Sequence, residues 1–171
     1  MNGTQKAPYG QPALVGGAVM GVLSALPIVA GGNLCCCLWV VSGGVVAAYL
    51  LQQNQAAPIE PVDAAIVGLF AGLIGAVIQV ALSIPIDALL GPMQREVIRR
   101  ALDMAGDVPP NLRDMFENAD RIRRGPIALI LRYTLALFFW LFAGGVFSTL
   151  GGLLGMALFR KPRPPSTTID V

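Results

Sequence analysis

The chain has 171 residues, 55% hydrophobic and 13% charged, with a formal net charge of +2 and no histidine. An ordinary soluble domain carries about 25% charged residues, so a soluble fold of this size could not hide so much apolar surface, whereas a bilayer could. The small net charge gives no reason to expect nucleic acid, and the missing histidine removes the commonest ligand for haem iron, zinc and copper and argues against a bound pigment.

Residues 1–10 are polar and read as a short tail. A first apolar span is expected over about Pro12 to Ala30, and Gly31-Gly32-Asn33 is a turn signal. No small-x-small cleavage site precedes a soluble domain, so this run reads as a retained span. A second span is expected over Leu34 to Leu51, antiparallel to the first. Residues 52–61 (QQNQAAPIEP) form a polar linker. A third span runs over 62–90, with Pro85 predicted to kink it and Ser83 placed to satisfy the freed carbonyl.

Residues 91–125 hold most of the charge and predict two short amphipathic helices. Met93, Val97, Ile98, Ala101, Leu102 and Met104 give the first apolar stripe. Leu112, Met115, Phe116, Ala119 and Ile122 give the second, with Asn111 as its N-cap. Such helices lie on a membrane or dock another protein, and the two uses are compatible. A fourth span is expected over 127–159, longer than one bilayer thickness. The tail 160–171 is basic, then proline-rich, and reads as disordered. Four spans put both termini on one side. Counting Lys and Arg then favours a cytoplasmic 91–125 loop by a narrow margin.

Two pairs of segments repeat. Trp39-Val-Val-Ser-Gly-Gly-Val45 reads against Trp140-Leu-Phe-Ala-Gly-Gly-Val146, and Leu23-Ser-Ala-Leu-Pro-Ile28 against Leu82-Ser-Ile-Pro-Ile86. A duplicated transmembrane hairpin would explain both, with its pseudo-symmetry axis along the membrane normal.

Small-x-x-x-small patterns single out Gly17, Gly21, Gly43, Gly44, Gly68, Gly72, Gly144, Gly145 and Gly152 as helix-packing residues. In lipid, close backbone approach rather than the hydrophobic effect holds helices together. Packing within the chain and packing between chains both fit. Asp87 and Arg132 fall at the same end of spans three and four, where they could form an intramembrane ion pair or snorkel to the interface. No acidic residue sits mid-span, which weighs against an ion-coupled pump. Cys35, Cys36 and Cys37 are a possible thiol site. Consecutive helical positions point about 100° apart, so three cannot chelate one ion well, and packing at the membrane surface explains them equally. No phosphate loop, nucleophile elbow or zinc-protease motif is present, so no catalytic residue, metal site or cofactor is expected.

Leu34 to Tyr49 together with Val146 to Phe159 resemble small multi-span bacterial membrane proteins of unassigned function. The resemblance implies a bacterial inner-membrane setting and carries no active site. The expected fold is therefore all-α: an integral membrane protein of four helices, built as two pseudo-repeated transmembrane hairpins with an amphipathic loop between spans three and four. The leading functional expectation is a non-enzymatic accessory or scaffolding subunit that meets the lipid bilayer and other membrane subunits or itself. A small oligomeric transporter or channel is the alternative.

Overall fold

A computed structural model describes residues 8–26, 29, 33, 37–104, 118, 125–159 and 161. They form four helices, α1 (Gly10–Ala25), α2 (Leu38–Gln53), α3 (Pro61–Met104) and α4 (Pro126–Phe159), with no strand among the described residues.

The first two helices are shorter than the sequence suggested. Each has 16 residues, about 24 Å of rise, against roughly 30 Å for a hydrocarbon core. α1 stops because Leu26 precedes Pro27, and a residue before proline is pushed out of the helical region. Leu26 is accordingly extended, at φ −76° and ψ 122°. α2 begins at Leu38 rather than Leu34, after Cys37 at φ 53°, a left-handed conformation uncommon outside glycine. Asn33 joins the two helix ends. Its side-chain NH2 donates to Ser24 Oγ at 3.0 Å, and its Oδ1 accepts from the Trp39 backbone N–H at 3.2 Å. The Trp39 indole N–H donates to the Val29 carbonyl at 2.6 Å.

The other two helices are long. Both begin with proline, whose missing N–H costs nothing at a first helical position. Asp63 lies in the first turn of α3, where the helix dipole favours a negative charge. α3 then runs for 44 residues through Pro85 and Pro92, about 66 Å. Residues 93–104 are therefore a continuation of α3, not a separate amphipathic helix. Strong helix formers follow Pro92, and Arg100 Nε bonds Glu96 Oε1 one turn back at 3.0 Å. Ser83 Oγ donates to the Val80 carbonyl at 2.8 Å, whereas the carbonyl that Pro85 leaves without a partner is that of Ala81. The expected rescue by Ser83 is thus one residue off. The second amphipathic stripe and the tail lie outside the described residues, Asn118 and Lys161 excepted. α4 has 34 residues, about 51 Å.

Consecutive helices run antiparallel, α1 runs parallel to α3, and α2 runs parallel to α4. A methyl built on Gly17 would meet Ala71 and Ile74, and one on Gly21 would meet Gly75 and Ile78. α1 residues thus face α3 residues 54 or 57 positions on. α2 and α3 touch each other, and each also packs against both α1 and α4. Met20 fills the centre. Its side chain borders Gly43 of α2, Gly75 of α3 and Gly144 of α4, and it is fully buried.

Candidate functional site

Glycine sets how closely these helices approach. A methyl at Gly43 would lie 2.8 Å from the Gly16 carbonyl oxygen, and one at Gly144 would lie 2.7 Å from that of Gly72. At Gly44 it would run into the Ser148 carbonyl, at Gly68 it would lie 2.5 Å from the same oxygen, and at Gly152 it would run into the Ala64 carbonyl. The obstacles are backbone atoms that cannot rotate away. Gly17, Gly21 and Gly72 are equally closed, so eight of the nine glycines singled out by sequence sit at helix crossings inside the chain. Gly145 differs, since its nearest neighbour would be Leu69 Cδ1 at 3.5 Å, an ordinary contact. Gly16 and Gly75 serve crossings too, and Gly16 forms with Met20 a small-x-x-x-large pattern that a search for paired glycines passes over.

Two polar levels bound this seam. At the first, Tyr9 donates to Asp63 Oδ1 at 2.7 Å. Gln52, buried, holds the linker from both sides: its NH2 donates to the Ala57 carbonyl at 3.1 Å, and its Oε1 accepts from the Ile59 N–H at 3.0 Å. Lys161 Nζ donates to the carbonyls of Gln52 and Gln55 at 2.9 and 2.8 Å, placing a positive charge at the negative end of α2.

At the second level α3 meets α4. Arg132 Nη2 donates to Asp87 Oδ2, and the Tyr133 hydroxyl donates to the same oxygen at 3.1 Å. The Arg132 guanidinium also lies 5.2 Å from the Tyr133 ring centre. The Asp87 and Arg132 side chains keep 31% and 50% of their accessible surface, respectively. Cys37 lies at the α1–α2 connection, while Cys35 and Cys36 are outside the described residues.

No charged residue separates Asp63 from Asp87 on α3, or Arg132 from Arg160 in and after α4. Asp63 and Asp87 are 24 residues apart, about 36 Å, or one hydrocarbon core plus its margins. Both long helices are apolar enough to cross a bilayer. Long uncharged helices, packed through glycine and bounded by polar levels at that spacing, define a helical integral membrane protein.

The chain belongs to the family described as the MJ1491 transmembrane domain, which it matches over residues 10–108. The match takes in α1, α2 and all of α3. The family's namesake is archaeal, so membership does not place the chain in a bacterium. No curated protein and no solved structure matches it.

Proposed function

We propose that the protein is a non-enzymatic accessory or scaffolding subunit that packs against other membrane proteins. The observation that supports this reading is the shape of the α3–α4 pair. From Val80 to Met104 and from Gly125 to Phe142, no described side chain is buried. There α3 and α4 form a two-helix arm beyond the reach of α1 and α2. Phe138, Phe139 and Phe142 are widely exposed along it. The glycine faces are already used within the chain, so the arm is the surface free to receive a partner's helix. A bacterial inner membrane is part of this proposal and rests on the sequence resemblance alone.

The test is the mass and composition of the particle extracted from native membranes in mild detergent. Co-extraction of other subunits at fixed stoichiometry supports the proposal, and a lone monomer overturns it. A homo-oligomer would favour a small transporter or channel instead. That reading draws on one observation, a buried amide on α3 (Gln79), and flux assays in liposomes would follow.

A further inference from the structure

α1 stops partway up the bundle. Gly21 meets Gly75 and Ile78 of α3. Ser24 lies one turn beyond Gly21, and Gln79 lies one turn beyond Gly75. Because α1 and α3 run parallel, Ser24 and Gln79 share a level. That level is 16 residues above Asp63 and 8 below Asp87, about 24 Å and 12 Å respectively. α1 therefore ends within the slab that α3 and α4 cross completely.

In hydrocarbon, non-helical backbone is tolerated only where protein buries it or where it lines a water-filled space. The described residues of the α1–α2 connection are tied by polar bonds: Asn33 to Ser24 and to the Trp39 N–H, and the Trp39 indole to the Val29 carbonyl. At that level Gln79 is 6% exposed, and among the described residues its side-chain oxygen has no hydrogen-bond partner. Leaving a buried amide oxygen unpaired is costly, and a small donor molecule held there removes the cost. Ser83 and Asp87 follow Gln79 at successive helical turns on one broad face. That face is half-buried and leads up to the Asp87–Arg132–Tyr133 cluster.

We infer that the far third of the membrane body holds a hydrated polar recess, floored by Ser24, Asn33 and Gln79 and reached past Ser83 and Asp87. It admits water and small uncharged molecules that donate a hydrogen bond. The Gln79 oxygen is the acceptor they meet. The paired charges at the mouth cancel, and no unpaired charge lines the described path, so an ion finds no counter-charge inside.

The test is thiol reactivity in proteoliposomes. Gln79→Cys and Val77→Cys are made in a chain with Cys35, Cys36 and Cys37 replaced by serine. Val77 faces outward, 54% exposed. Both are treated with methyl methanethiosulfonate, a small neutral reagent whose sulfur the thiolate attacks, forming the methyl disulfide and releasing methanesulfinate; the thiolate forms only where water reaches the sulfur. The inference expects Gln79→Cys to react at least about tenfold faster than Val77→Cys. Equal, slow rates would overturn it. Gln79→Met in the native cysteine background gives a second measure that survives failure of the serine variants to fold. A hydrated amide gains nothing from this change, so the melting temperature stays level or falls. A rise of several degrees would reveal a dry, unpaired amide and overturn the recess.

Discussion

Gly144 and Gly145 are neighbours on α4, yet the structure assigns them opposite responses to one added methyl group. At Gly144 the methyl would sit 2.7 Å from the Gly72 oxygen, 3.1 Å from the Gly72 carbonyl carbon and 3.3 Å from Met20 Cε. Met20 can bend aside, but the Gly72 backbone cannot, so α3 and α4 must part. The same crossing seats Ser148 against Gly44, Gly68 and Gly72, and parting it loosens those contacts as well. At Gly145 the only neighbour within 4 Å among the described residues is Leu69 Cδ1 at 3.5 Å, the end of a flexible side chain.

Both substitutions gain the same helix-propensity term, about 0.5–1 kcal/mol for glycine to alanine in a helix interior. That term cancels when the two variants are compared. What remains is the cost of overpacking, about 1–3 kcal/mol. Gly145→Ala is therefore expected to be as stable as the parent or slightly more so, and Gly144→Ala less stable than Gly145→Ala by about 1–3 kcal/mol. Equilibrium unfolding in mixed micelles of a mild detergent and SDS, followed by loss of helical circular dichroism, measures the difference. A Gly144→Ala variant at least as stable as Gly145→Ala would mean that α3 and α4 do not cross at Gly72 and Gly144, and would refute the packing described here.

Ser148 is fully buried and its hydroxyl has no partner among the described residues, so Ser148→Ala is expected to stabilise the same unfolding transition by about 1 kcal/mol. Gln52→Leu strands the Ile59 N–H and the Ala57 carbonyl. It should cost about 1–3 kcal/mol and speed proteolytic cleavage of the 54–60 linker; a linker as resistant as the parent's would contradict its role. For Asp87→Asn and Arg132→Gln, a double-mutant cycle should give a coupling of about 0.2–1 kcal/mol that shrinks in high salt. A salt-insensitive coupling several times larger would place the pair in dry hydrocarbon.

Much of this was legible in the sequence. α3 and α4 stand out because long uncharged runs have few other uses, and Asp87 and Arg132 could be paired because they bound the same end of two uncharged runs on antiparallel helices. The end of α1 was not legible. Leu23-Ser-Ala-Leu-Pro-Ile28 and Leu82-Ser-Ile-Pro-Ile86 are nearly alike, yet the helix stops before Pro27 and runs through Pro85. The difference is tertiary, because α3 has α4 beside it as far as Arg132. The paired glycines were ambiguous for a simpler reason. Consecutive helical residues point about 100° apart, so Gly43 and Gly44 face different helices, and nothing local says that Gly145 meets only the end of the Leu69 side chain among the described residues. Gln52 looked like part of a polar linker, and only the returning chain at Ala57 and Ile59 makes its amide the organiser of that turn.

The similar segments at Trp39 and Trp140, and at Leu23 and Leu82, can be compared with the packing. Parallel α1 and α3, and parallel α2 and α4, follow in any run of four antiparallel helices and do not by themselves show a tandem hairpin. The first glycine of each Gly-Gly pair behaves alike, Gly43 against Gly16 and Gly144 against Gly72. The registers differ. Leu23 aligns with Leu82, 59 residues on, but α1 packs against α3 residues 54 or 57 on. Trp39 aligns with Trp140, 101 residues on, but α2 meets α4 104 to 110 residues on, from Gly44 against Ser148 to Val41 against Gly151. Both departures move the first hairpin the same way, toward the Asp63 and Lys161 end, by about one to two helical turns. That slide brings Gly44 onto Ser148 and Gly152 while leaving Gly145 open. At the far end it also withdraws α1 and α2 from the upper halves of α3 and α4. The slide is too small to make the arm by itself: α3 runs about 36 Å past Val80, because α1 ends before Pro27 while α3 continues to Met104.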